Sequence, residues 1–148
     1  MLKLKFLLLI SLCTLALLSC KVRRNTPVKG GAWSVVFEKA GCLDVCKAYT
    51  ISINSNGKFA YKGNFKVKHM GLKTGTLKSD ELKEINRLRK AIKWNTLKNN
   101  YGTNNKQLKV VTYITTTIDK KITYFSGEPL SIKDLENYID TIINKDEL

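Results

Sequence analysis

One histidine and twelve acidic residues, against twenty-six lysines and arginines, leave this 148-residue chain short of the groups that most enzymes use. A nucleophile needs an adjacent base and an orienting group, and His69 is the only imidazole that could serve one. His69 continues the alternation of Phe65 and Val67, a position that predicts a structural role. Six of the twelve acids fall between Glu128 and Glu147, where they read as the solvated face of a last helix rather than as a catalytic pair. The chain has no Gly-x-Ser-x-Gly, no His-Glu-x-x-His and no glycine-rich phosphate loop. These shortages favour a protein without catalytic activity. Long apolar runs are lacking too: the longest, Phe6 to Leu18, is thirteen residues, whereas a spanning helix needs about 20.

What is present is one domain's worth of chain, 43% hydrophobic and 26% charged, with a formal net charge of +14. Lys3 and Lys5 followed by the Phe6 to Leu18 run form an export signal, residues 1–19, which is excluded from the fold. The run ends in Leu17-Leu18-Ser19-Cys20, which resembles the lipobox of bacterial lipoproteins. That resemblance implies that Cys20 becomes the first residue of the mature chain, carrying a diacylglycerol and a fatty acyl group, palmitate among them. Two or more acyl chains are what stable anchoring takes, since each buried methylene contributes only about 0.8 kcal/mol. Lys21, not an acid, follows Cys20, which by the same resemblance points to the outer membrane. The signal removes two lysines and no acid, so the basic balance survives. A second address, Lys145-Asp146-Glu147-Leu148, spells the tetrapeptide that retains proteins in the endoplasmic reticulum. A lipobox is not a eukaryotic feature, and a charged helix end accounts for the same residues by solvation.

With Cys13 discarded and Cys20 acylated, Cys42 and Cys46 remain, and an oxidising compartment favours a disulfide between them. Closing so short a loop contributes about 2 kcal/mol in the chain-entropy model, and its effect is to shape a turn. The alternative is thiol chemistry: Cys42-x-x-x-Cys46 resembles the pair of copper-delivering Sco-type proteins, and His69 would add a third ligand to a Cu(I) site. Those proteins follow their cysteines with a helix, whereas here Tyr49, Ile51 and Ile53 alternate with polar residues as a strand does.

Residues 20–32 are the acylated cysteine and a basic tether, in which Arg23 and Arg24 could touch anionic headgroups. A single domain, 33–144, follows, and 145–148 form a charged tail. Trp33 to Phe37 reads as a strand. Tyr49 to Asn54 and Lys58 to Lys62 flank Asn56-Gly57, the signature of a type I′ hairpin, and Leu72 to Leu77 adds a short strand. Ser79 is the expected N-cap of a helix whose apolar stripe is Leu82, Ile85, Leu88 and Ile92. Lys83, Arg87, Arg89, Lys90 and Lys93 cover its other sides as a candidate basic surface. Asn99 to Gln107 reads as a polar loop, and Leu108 to Ile118 and Ile122 to Phe125 as a hairpin turning at Asp119-Lys120. Ser131 with Asp134 suggests a capping box for a second amphipathic helix carrying Leu135, Tyr138, Ile139 and Ile142. The order predicts an α+β fold, an antiparallel sheet with both helices on one face.

The motifs Gly41-Cys42-x-x-x-Cys46-x-x-Tyr49, Asn56-Gly57, Tyr61-x-Gly63, Ser79-Asp80-Glu81-Leu82, Lys120-Lys121-Ile122-Thr123-Tyr124 and Leu135-Glu136-x-x-Ile139-Asp140 together resemble a family of small, uncharacterised bacterial lipoproteins and exported domains. The resemblance runs from about Trp33 to Asp140 and implies the architecture without an activity. Residues 58–121 hold sixteen basic side chains against four acids, which suits an anionic envelope polymer or an acidic protein as partner. No nucleic-acid module is recognisable, and export removes the chain from that compartment. The expectation is therefore a non-enzymatic binding or structural module of the cell envelope, with no cofactor.

Overall fold

A computed structural model of the chain describes residues 32–42, 46–103 and 107–145. The expected signal, Cys20 and almost all of the tether lie outside the described residues, as does most of the charged tail. Seven strands form one sheet: β1 (Ser34–Lys39), β2 (Ala48–Asn54), β3 (Lys58–Phe65), β4 (Gly71–Thr76), β5 (Asn100–Tyr101), β6 (Lys109–Ile114) and β7 (Asp119–Tyr124). Their order across the sheet is β4-β3-β2-β1-β6-β7-β5. All neighbours are antiparallel except β5, which lies parallel to β7. Helix α1 (Ser79–Ala91) joins β4 to a 3-10 turn at Trp94–Thr96, and α2 (Leu130–Ile143) follows β7.

The period-2 pattern decides which face is covered. Val35 lies opposite Ile53 and Tyr113, and Phe37 opposite Ile51 and Val111, so these side chains share one face. Tyr61 and Ile122 extend the same row on either side. Against it pack Ile85 and Leu88 of α1 and Ile132, Leu135 and Ile139 of α2, all buried. Each fully buried aliphatic side chain contributes roughly 1.5–3 kcal/mol, and this face is the core. Thr50, Ser52 and Thr112 point the other way and are only half-buried. Among the described residues no helix is long and apolar enough to cross a membrane.

Several local expectations are corrected. The 54–58 turn is not type I′, because only Gly57 has a positive φ (79°) and that turn needs one at both central positions. Three residues separate the strands instead. The Gly57 amide donates to Asn54 O, and Asn56 Oδ1 accepts from the Lys58 amide. Ser79 is the first helical residue, with Lys78 in the cap position; the Glu81 carboxylate reaches back to the Lys78 amide at 3.0 Å. Helix α2 starts after Pro129, so Ser131 lies inside its first turn and makes no capping box. The second hairpin turns at Thr115 to Ile118, where Thr115 Oγ1 accepts from the Thr117 and Ile118 amides, and Asp119 already begins β7. Asn100 and Tyr101 form a strand within what reads as a loop. Two residues are too few to show alternation.

His69 lies not in a strand but in the connection between β3 and β4, which folds back over Gly63. A Cβ at Gly63 would stand 2.0 Å from His69 O and 2.8 Å from the Tyr61 hydroxyl, which itself donates to His69 O. Gly63→Ala is therefore expected to destabilise the domain by about 2–3 kcal/mol. Urea unfolding would show it as a lower midpoint with an unchanged slope.

Candidate functional site

The core face ends in a charged row. The register places Tyr49, Lys39, Lys109 and Tyr124 side by side on β2, β1, β6 and β7. Two lysines directly opposite each other repel unless an anion separates them. Glu136 of α2 does so, with Oε1 at 2.8 Å from Lys39 Nζ and Oε2 at 3.2 Å from Lys109 Nζ. The Tyr124 hydroxyl donates to the same Oε2 at 2.9 Å. One turn on, Asp140 takes Lys39 Nζ at 2.5 Å and a short hydrogen bond from the Tyr49 hydroxyl. Glu128 completes the set at 3.1 Å from Lys109. Lys39 and Lys109 also lie 5.5 and 4.7 Å from the ring centroids of Tyr49 and Tyr124.

The acids around α2 are thus not one solvated face: Glu136 is 5% exposed, and it belongs to the core. This is the chief group that sequence reading missed. The signal was parity, since Lys39 follows Val35 and Phe37 at a spacing of two, and Lys109 precedes Val111. Burial pushes the Glu136 carboxyl up, but the hydrogen bond and charge of Lys39, the charge of Lys109 and the Tyr124 hydroxyl outweigh it and hold it below its usual range. For Lys39, burial works against the charge, and the hydrogen bonds and charges of Asp140 and Glu136 prevail and raise its pKa. Burial, then the neighbouring carboxylates, raises both Tyr49 and Tyr124. Every one of these groups keeps its resting proton state at neutral pH. Lys39 stays an ammonium and the tyrosines stay phenols, so none of the three is poised as a nucleophile.

Cys42 and Cys46 close the loop between β1 and β2, at the end of the sheet where Lys39 and Tyr49 stand. Their sulfurs are bonded at 1.97 Å. Gln107 braces the loop, its Nε2 donating to Ala40 O and to Lys47 O on either side. His69 Nε2 lies 2.8 Å from Lys145 O, and Nδ1 lies 3.0 Å from Lys73 Nζ, an arrangement that suits the tautomer with the proton on Nε2. Lys68 Nζ donates to Asn144 O nearby, so cationic and donor groups collect where the α2 dipole is negative. A copper site made of Cys42, Cys46 and His69 would require the disulfide reduced and His69 turned from both partners.

The five basic candidates do not share one environment, and Lys93 lies beyond α1, which ends at Ala91. Lys83, Arg87, Lys90 and Lys93 are exposed. Arg87 is matched by Glu84, with Nε and NH2 at 2.8 and 2.6 Å from its two oxygens. Arg89 turns inward: it stacks 4.4 Å over Trp33 and donates to the Tyr113 hydroxyl, while Trp94 stacks on Tyr113 at 4.4 Å. Its backbone carbonyl takes the Trp94 indole proton. Between the helices runs an open trough of about 430 Å³ lined by Arg87, Asp134, Asn137 and Tyr138. Glu84 already answers the charge of Arg87 there.

Two outcomes test the charged row. Glu136→Gln leaves both lysines short of a carboxylate in the interior and should cost about 3 kcal/mol in urea unfolding. The wild-type stability should also be level between about pH 5 and pH 9 and fall on either side. Glu136 has a depressed folded pKa, so its contribution is present above the unfolded value of about 4.3 and is lost as pH falls through the folded one. Lys39, Tyr49 and Tyr124 have raised folded values, so theirs is complete below about pH 10 and is lost as pH rises further. Urea midpoints measured across that range would display both limbs.

A family model described as a domain of unknown function (DUF6438) matches residues 34–143, from the first strand to the end of α2. No curated protein matches the chain.

Proposed function

The chain belongs to this family of domains of unknown function, and we propose that it serves as a lipid-anchored binding module of the bacterial cell envelope, held through acylated Cys20 and engaging an anionic envelope polymer. The observation that carries the reading is the direction of the charges. Glu81, Glu128 and Glu136 have side chains only 7–9% exposed and pair with Lys145, Lys109 and Lys39, so three anions and three cations are withdrawn from the outer field together. Lys83 and Lys90 stand exposed on α1, and Lys93 just beyond its end. The basic excess of the composition is therefore left on the exterior, and such a surface attracts and retains polyanions. The lipobox-like Leu17-Leu18-Ser19-Cys20 supports the anchor, and the Cys42–Cys46 bond supports an oxidising location.

The test has two parts. An intact, non-reducing mass of the protein from a bacterial membrane fraction is expected to start at Cys20, with added acyl chains and two hydrogens missing. A mass without acyl groups would overturn the anchor. The same protein should bind purified lipopolysaccharide with an affinity that falls steeply with salt, and Lys83→Glu/Lys90→Glu/Lys93→Glu should weaken binding by about tenfold or more. Salt-independent binding, or none, would overturn the polymer reading.

A further inference from the structure

The two edges of the sheet are finished differently. On one side β7 is followed by β5, whose Asn100 and Tyr101 cover part of it. On the other side β4 is the last strand, and among the described residues nothing pairs along its outer edge. Natural sheets blunt such an edge with proline, a bulge or charge. β4 has no proline and no acid, and its ladder with β3 is regular from Gly71 to Thr76. Its single charge, Lys73, is half-buried opposite Tyr61 on the covered face, 3.0 Å from His69 Nδ1. The same ladder fixes which backbone groups face outward. The Leu77 amide donates to Gly57 O, so that pair is a hydrogen-bonded one, and by alternation so are Phe59–Gly75, Tyr61–Lys73 and Gly63–Gly71. The N–H and C=O groups of Leu72, Thr74 and Thr76 therefore point away from β3, and their exposed side chains stand on the uncovered face.

We propose that β4 is a dimerisation edge, along which two copies of this chain pair antiparallel about a two-fold axis at Thr74 and continue one sheet through both. In that register Leu72 faces Thr76 of the second copy and Thr74 faces its own counterpart, so every outward N–H meets a C=O. Threonine opposite threonine is a favourable cross-strand pair. Lys73 falls opposite Gly75 of the second copy, whereas an axis at Lys73 would set two lysines face to face, and this difference selects the register. On the uncovered face, Lys62 beside Leu72 and Lys58 beside the other copy's Thr76 end up three strand spacings apart. That is about 14 Å, beyond the Debye length of about 8 Å at physiological salt, so their repulsion is screened. Leu72, 73% exposed in the single chain, is flanked on its open side by Thr76 of the second copy. Backbone groups alone accept any extended strand; the glycine opposite the lysine and the threonine at the axis fit this strand to itself. Such pairing occupies the edge in both copies, so assembly stops at two. It uses no residue of α1 and no acyl group, and it stands or falls separately from the anchor and the polymer reading.

The full chain, purified from bacterial membranes in detergent, is taken through a dilution series and followed by light scattering, which gives the protein mass within the micelle, and by hydrogen exchange. Two chains per particle are expected when concentrated and one when dilute. Peptides covering 71–76 should exchange about fivefold more slowly in the dimer, while peptides of α2 stay unchanged. Thr74→Pro removes an N–H that β3 does not use, a change an edge strand tolerates, and should raise the dissociation constant about tenfold or more. Thr74→Lys sets two ammonium groups against each other at the axis and should also weaken pairing. Unaltered exchange in β1 and β6 checks that both variants fold. A single chain at every concentration would overturn the proposal, as would particles larger than two chains or slowing confined to other segments. Pairs that persist in both variants, as chains merely sharing a micelle would, overturn it too.

Discussion

Glu136 is the residue through which the two layers of this domain are tied. Its carboxylate lies between two lysines that the strand register sets face to face, and it accepts a hydrogen bond from the Tyr124 hydroxyl as well. Apolar packing between α2 and the sheet is non-directional, and Ile132, Leu135 and Ile139 would tolerate small slides along the face. Charges that must meet at 2.8–3.2 Å do not. Against a well-packed apolar substitute such a network adds little net stability, because burying the ions costs about what their attraction returns. Its effect is on register: one position of α2 satisfies Lys39, Lys109, Tyr49 and Tyr124 together, and among the described residues no buried side-chain polar atom is left without a partner.

The two ends of the core are closed by different chemistry. At one end the ionic row meets the disulfide loop, so that Gln107, Lys39 and Asp140 hold the crossing from β1 to β2 and the last turns of α2 together. At the other end Arg89 joins Trp33 and Tyr113 while Trp94 stacks on the tyrosine, which seats the end of α1. Both arrangements take charge inward. Hence the surface field is set by the charges that remain exposed, in which lysines predominate.

Much of the architecture was legible because alternation and helical spacing are strong over six or more residues. The apolar stripe of α1 and the Tyr49–Ile51–Ile53 alternation placed a helix and a strand correctly. The misreadings share a cause: each depended on one or two residues whose choice is settled by neighbours distant in sequence. Asn56-Gly57 favours a type I′ turn in isolation, yet β2 runs to Asn54 and β3 starts at Lys58, which leaves three residues to close the hairpin. Asn100 and Tyr101 are a strand only because β7 offers an edge beside them. His69 leaves the alternation of Phe65 because Gly63 lets the chain fold back over it.

The candidate site divides in the same way. The sequence by itself determined the excess of lysine, the spacing of Cys42 and Cys46, the lipobox-like Cys20 and the amphipathic faces, since each is a property of neighbouring residues. Only the tertiary structure decided which charges stay outside. Lys39 and Glu136 are separated by nearly the whole domain in sequence, and their pairing exists because β1 lies beneath α2. Arg89 and Lys90 are adjacent in the chain, yet one stacks on Trp33 and the other faces water, because a helix turns by about 100° per residue and only one of them lies over the sheet.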